Sequence, residues 1–149
     1  MTVSGYLEQQ LTILLRRGQS IHVSTVAGEV DLDRSSYGIM CRLADEGPQR
    51  LGSLAQAFGL DPSTITRQVQ ALESADLAQR TTDPIDRRAS LLDLTEEGRE
   101  VLHRTREMRR VRLAATIADW PEADIEEFAR LLERFNISSV ANGGRPSPT

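Results

Sequence analysis

The chain has 149 residues, enough for one domain with its own core, and its 39% hydrophobic and 27% charged residues are ordinary for a soluble globular protein. Its net charge of −4 argues at first against nucleic acid, yet every one of the 18 basic residues is arginine, whose planar fork suits phosphates and grooves. A G- and C-rich genome produces the same bias. Cys41, the one cysteine, excludes an intramolecular disulfide, and its distance in sequence from the two histidines gives no metal-ligand spacing, so no cofactor is expected.

In chain order, residues 5 to about 29 read as helical. Tyr6, Leu7, Leu11, Leu14 and Leu15 recur at three- and four-residue steps, Gly18 marks a bend, and Ile21, Val23 and Val26 continue the apolar character. Asp33 is placed to cap a second helix, 34 to about 46, with Tyr37, Met40, Cys41 and Leu43 as its apolar set and Gly47-Pro48 as its stop. A short third helix spans 51–58 and ends at Gly59. Asp61 caps a fourth, with Pro62 at the first helical position, where a missing N–H costs nothing. Residues 77–82 and 89–94 read as strands around the turn Asp83-Pro84-Ile85-Asp86-Arg87-Arg88. Thr95 caps a fifth helix to about 119, and Pro121 opens a sixth, 122 to about 140. The tail 141–149 is rich in Gly, Pro and Ser and is expected to be disordered.

The expected fold class is therefore mostly α with a small β-wing, of six helices and a two-stranded wing hairpin. A winged helix-turn-helix occupies 31–94, flanked by helical segments 1–30 and 95–140. On a helical wheel of the fourth helix, Ile65, Val69 and Leu72 share the face that points into the domain. Ser63, Arg67, Gln70 and Ser74 lie opposite, flanked by Thr64 and Thr66. Hydroxyls, an amide and one Arg are groups that bond base edges and phosphates, although an ordinary amphipathic helix satisfies the same pattern. The short helix and tight turn before it favour a helix-turn-helix. At the wing tip, Asp86 is expected to orient Arg88 by a bidentate pair, and an Arg so placed can enter a narrow minor groove. A surface turn with a local ion pair is the plainer alternative.

These residues resemble the MarR family of bacterial transcription regulators. The resemblance lies in LADEGPQRLGSLAQAFGLDPSTITRQVQALESADLAQR, the wing DPIDRRAS, and LLDLTEEG at the start of the fifth helix. It implies a homodimer whose first, fifth and sixth helices interlock, with the two recognition helices in successive major grooves of a pseudo-palindrome. By position it implies DNA contacts from Ser63, Thr64, Thr66, Arg67 and Gln70, a wing contact from Arg88 held by Asp86, a phosphate contact from Arg87, and a backbone contact from Arg50. Many members carry a further wing Arg where this chain has Ile85.

The residues support the dimer independently, because Leu7, Leu11 and Leu14 near the start and Ile125, Phe128, Leu132 and Phe135 near the end are too apolar for a lone solvated bundle. Arginines crowd 99–112 and acids crowd 119–134, which suits pairing within or between subunits, or simply two solvated faces. The resemblance also implies a small aromatic or phenolic effector, for which Arg16, Arg17, His22, Tyr37, Met40 and His103 are candidate pocket residues. Solvated arginines and a packed histidine explain the same residues. Cys41 reads as a small core residue and Trp120-Pro121 as a helix-junction anchor.

The leading expectation is a ligand-responsive repressor that binds double-stranded DNA. A winged-helix protein-interaction module without specific DNA readout is the alternative. A small enzyme is a third, for which no catalytic constellation appears. With neither a signal peptide nor an apolar run long enough to span a bilayer, the chain is expected to be cytoplasmic.

Overall fold

Turn and cap chemistry sets most of the element boundaries in the computed structural model, which describes residues 2–17 and 20–141. Helix α1 covers Val3–Arg16, and the Thr2 hydroxyl accepts the Gly5 N–H at its start. A hairpin follows, β1 Ser20–Thr25 and β2 Gly28–Asp33, then α2 Arg34–Glu46, α3 Leu51–Phe58 and α4 Pro62–Ser74. Strands β3 Ala78–Thr82 and β4 Ser90–Leu94 form the wing, followed by α5 Glu96–Thr116 and α6 Glu122–Ala141. The six helices and the wing hairpin are those expected. Gly18 and residues 142–149, where a bend and a disordered tail were expected, lie outside the described residues.

The first hairpin corrects the expectation of one helix from 5 to about 29. Ile21 and Val23 are buried, and Ser20, His22 and Ser24 alternate with them on the outer face. Val30 and Leu32 repeat this on β2, paired in register with Val23 and Ile21. β-Branched residues at a two-residue period favour a strand over a helix. Gly28, at φ +133°, takes the turn through a conformation L side chains rarely adopt. A second correction concerns Asp33. It occupies the N-cap position of α2, but its side chain makes no capping hydrogen bond.

The chain forms two compact units, one of residues 1–105 and one from Arg106 onward. In the first, Ile39, Met40 and Leu43 of α2 join Leu54 of α3 and Ile65, Val69 and Leu72 of α4 in one core. Leu77, Leu92, Leu94, Val101 and Leu102 close it. Cys41 packs against this core, half-buried, as expected. Gln49 exchanges backbone hydrogen bonds with Leu92 (2.9 and 2.7 Å), adding a one-residue third rung to the wing sheet.

Helix α4 ends in a Schellman arrangement. The Leu77 N–H donates to the Leu72 carbonyl and Asp76 N–H to that of Glu73, with Asp76 in the left-handed region at φ 57°. The Thr95 hydroxyl then accepts the Gly98 N–H at 2.9 Å and donates to the Asp76 carbonyl at 2.6 Å. The expected cap of α5 thus also ties that helix to the end of α4. A Cβ added at Gly98 would lie 2.0 Å from the Leu77 carbonyl oxygen, so only glycine permits this approach. In the second unit, Trp120 and Phe128 meet edge to face at 5.8 Å between ring centroids. No residue of α6 is buried, and none of α1 in the first unit.

Candidate nucleic-acid interface

Helix α4 is built to present one face. Asp61 caps it by accepting the Thr64 N–H at 2.8 Å and the Ser63 hydroxyl at 2.6 Å. These two bonds, the hydroxyl's first, hold the Asp61 carboxyl at a pKa of about 2. With Ile65, Val69 and Leu72 buried, Ser63, Arg67, Gln70 and Ser74 are left exposed on the opposite side, and Thr64 and Thr66 are half-buried at its margins. The Thr66 hydroxyl donates to the Pro62 carbonyl at 2.7 Å. Ser63 and Thr66 have therefore committed their hydrogens and offer lone pairs to a base donor, whereas Arg67 offers only donors. Gln70 can both donate and accept, as a bidentate contact to adenine requires.

The wing turn is organised by two aspartates. Asp83 is buried, and its carboxylate accepts the Ile85 N–H at 2.9 Å through one oxygen and the Arg50 guanidinium, also at 2.9 Å, through the other. These contacts, the backbone one first, hold the Asp83 carboxyl below the usual carboxylate range. Asp86 accepts the Arg88 backbone N–H at 3.1 Å. This corrects the expected bidentate pair: Asp86 fixes the backbone beneath Arg88 and leaves its guanidinium unclaimed among the described residues. An Asx-type bond to the amide two residues on closes a tight turn locally, and it competes with a side-chain pair for the same carboxylate. Arg87 and Arg88 are exposed, as is Ile85 at 93%. Arg50, expected at the DNA backbone, is paired to the wing through Asp83 and keeps about half of its side chain exposed.

The candidate effector residues differ widely in exposure. Met40 is fully enclosed in the core, while His22 lies on the outward face of the first hairpin. There Asp31 (2.8 Å) and Glu29 hold His22, and these two carboxylates, Asp31 first, raise its pKa. Arg16 and Arg17 are exposed at the end of α1, and Tyr37 is half-buried on α2. His103 is exposed and lines an open depression on α5 with Arg99, Glu100 and Arg104. Of the expected dimerisation residues, Leu7, Leu14, Phe128, Leu132 and Phe135 are exposed, and Leu11 and Ile125 are half-buried. Asp83 was missed from sequence as the partner of Arg50; the Asp-Pro pair that opens the turn was its one local signal.

An uncharacterised HTH-type transcriptional regulator of Bacillus subtilis strain 168, YxaD, is 36% identical over 134 residues, covering 90% of this chain and 93% of its own. The MarR family model matches residues 32–90. The chain belongs to the MarR family. The HTH-type transcriptional repressor NicR of Pseudomonas putida is 32% identical over 97 residues, 63% of this chain and 61% of NicR. Among solved structures, the MarR-family chain resembles RV1404 from Mycobacterium tuberculosis with a TM-score of 0.63 and 29% identity, over 78% of each chain. YxaD and NicR are named as transcription regulators rather than enzymes, and the matched span 32–90 contains α2, α3, α4 and the wing turn. The protein is a DNA-binding transcription regulator. No helix among the described residues is long and apolar enough to cross a membrane.

Proposed function

We propose that the protein is a repressor that binds a pseudo-palindromic operator as a homodimer. The observation that carries this reading is the exposed polar face of α4, fixed by its Asp61 cap, beside a wing whose Arg87 and Arg88 project into solvent. In this reading, residues 31–94 are the DNA-binding region, and 1–30 and 95–140 the dimerisation region. Ser63, Thr64, Thr66, Arg67 and Gln70 meet base edges and phosphates of the major groove. Arg88 enters the adjacent minor groove over its Asp86-held backbone, and Arg87 meets a phosphate. NicR, a repressor by name, supports the direction of control. The dimer is supported by the exposed leucines of α1 and by Phe128, Leu132 and Phe135, each apolar side chain worth about 1.5–3 kcal/mol when fully buried.

A small aromatic or phenolic effector completes the reading. The depression at Arg99, Glu100, His103 and Arg104 is lined mainly by apolar atoms, which suit an aromatic ring, and the His103 imidazole supplies a polar group for its carboxylate or phenolate. Fluorescence anisotropy with DNA from the chain's own upstream region tests the whole. Arg88→Ala and Arg67→Ala should each weaken specific binding and lower the slope of log K against log salt by about one. Parent-like binding by both variants contradicts the contact assignment.

A further inference from the structure

The geometry points to Asp83 and Arg50 as a positioning pair that sets the pitch of the wing for the minor groove, a role that rests on the DNA-binding reading above. Arg50 is the last residue before α3, the first helix of the helix-turn-helix. Its neighbour Gln49 is hydrogen-bonded at both backbone groups to Leu92 of β4. Thirty-three residues later, Asp83 opens the wing turn, its side chain only 6% exposed. Each oxygen of this one carboxylate has a separate duty. Oδ2 holds the Arg50 guanidinium and Oδ1 holds the Ile85 amide, two residues before Arg87. The Asp83 N–H also donates to the Ala89 carbonyl at 3.0 Å, closing the loop that carries both arginines. The start of α3 and the wing are thereby joined through a charged contact, with its carboxylate buried and its guanidinium half-exposed, in addition to the apolar core. Charge-assisted bonds of this kind are short and directional, and so fix an angle better than packing alone.

A consequence in sign separates this role from a simple electrostatic one. Asp83 is an anion at a surface that approaches phosphate. By charge alone, Asp83→Asn should strengthen DNA binding, and Arg50→Ala should weaken it as any lost phosphate contact would. As a positioning pair, both changes free the wing, and both weaken specific binding by about tenfold, the scale of losing a groove-bound arginine.

The test uses the full chain and DNA from its upstream region. Hydrogen exchange of the free protein should quicken at the Ile85 and Ala89 amides in Asp83→Asn and in Arg50→Ala alike, with α4 amides unchanged. Hydroxyl-radical footprints should lose minor-groove protection at the site flanks while major-groove protection at the half-sites persists. The double variant should be no weaker than either single one. Unchanged wing exchange, or an Asp83→Asn variant that binds more tightly, overturns the proposal. A parent that gives no footprint overturns the DNA-contact reading instead, a result the exchange measurement tells apart. Should Asp83→Asn fold poorly, Arg50→Lys keeps the charge without the two-nitrogen grip, and parent-like wing exchange and affinity in it likewise refute a geometric role.

Discussion

Asp61 and His22 respond to pH in opposite directions. Asp61 has a folded-state pKa of about 2, depressed from an ordinary 3.8, so its contribution is complete above the ordinary value and disappears as pH falls toward 2. Asp83 is depressed in the same direction and acts in the same acidic window. His22 is raised above its ordinary 6.5 by Asp31 and Glu29, so its contribution is complete below 6.5 and is lost as pH climbs through the raised value. The start of α4 and the wing should therefore loosen in acid, and the first hairpin as pH rises through the raised His22 value. Asp61→Asn separates these effects, because Asn also caps a helix but does not titrate there. The variant should keep a near-parent Tm at pH 7 and lose part of the drop between pH 4 and 2. A pH profile of Tm identical to the parent's in that window contradicts the assignment.

At the level of elements, Gly98 shows what a motif glycine is for. The sequence presents it as part of Leu-Thr-x-x-Gly, and the structure supplies the reason: the first turn of α5 lies directly against the backbone carbonyl of Leu77. Gly98→Ala must separate α5 from the entry to β3. It should cost about 1–3 kcal/mol, the usual range for overpacking, read as a lower Tm or urea midpoint. A parent-like midpoint would show that this junction has slack. Most element ends were legible for similar local reasons, since Pro62 after Asp61, Gly59 after Phe58 and Thr95 before Gly98 each carry their chemistry within four residues. The hairpin at 20–33 was not legible, although Ser-Ile-His-Val-Ser-Thr alternates, because Ile21, Val23 and Val26 read only as a continuation of the apolar character of the first helix. Helix length could not decide, because the α1 pattern runs straight into it. The Arg50–Asp83 pair was not legible, because 33 residues separate partners that no periodicity relates. Asp86 and Arg88 were legible as partners but not by which atoms, because a side chain two residues back reaches the amide as readily as the guanidinium.

For the molecule as a whole, the exposed apolar faces lie on the terminal helices. α6 is 20 residues long with none buried, and isolated helices of modest length are marginal in water. Phe128, Leu131, Leu132 and Phe135 recur at helical spacing along it and remain open to solvent. In the proposed dimer a second copy covers them, which would account for a stable α6. The parent Tm should then rise with protein concentration, and Phe128→Asp with Leu132→Asp should yield a monomer by light scattering with greatly weakened DNA binding. A monomeric parent at micromolar concentration would remove the dimer from the account. The most direct test of the central claim is a hydroxyl-radical footprint of the parent protein on DNA from its own upstream region at physiological salt. The account predicts two protected half-sites one helical turn apart, related by a two-fold axis and flanked by protected minor grooves, with two chains per site. Protection without sequence preference, or none even at low salt, would contradict it.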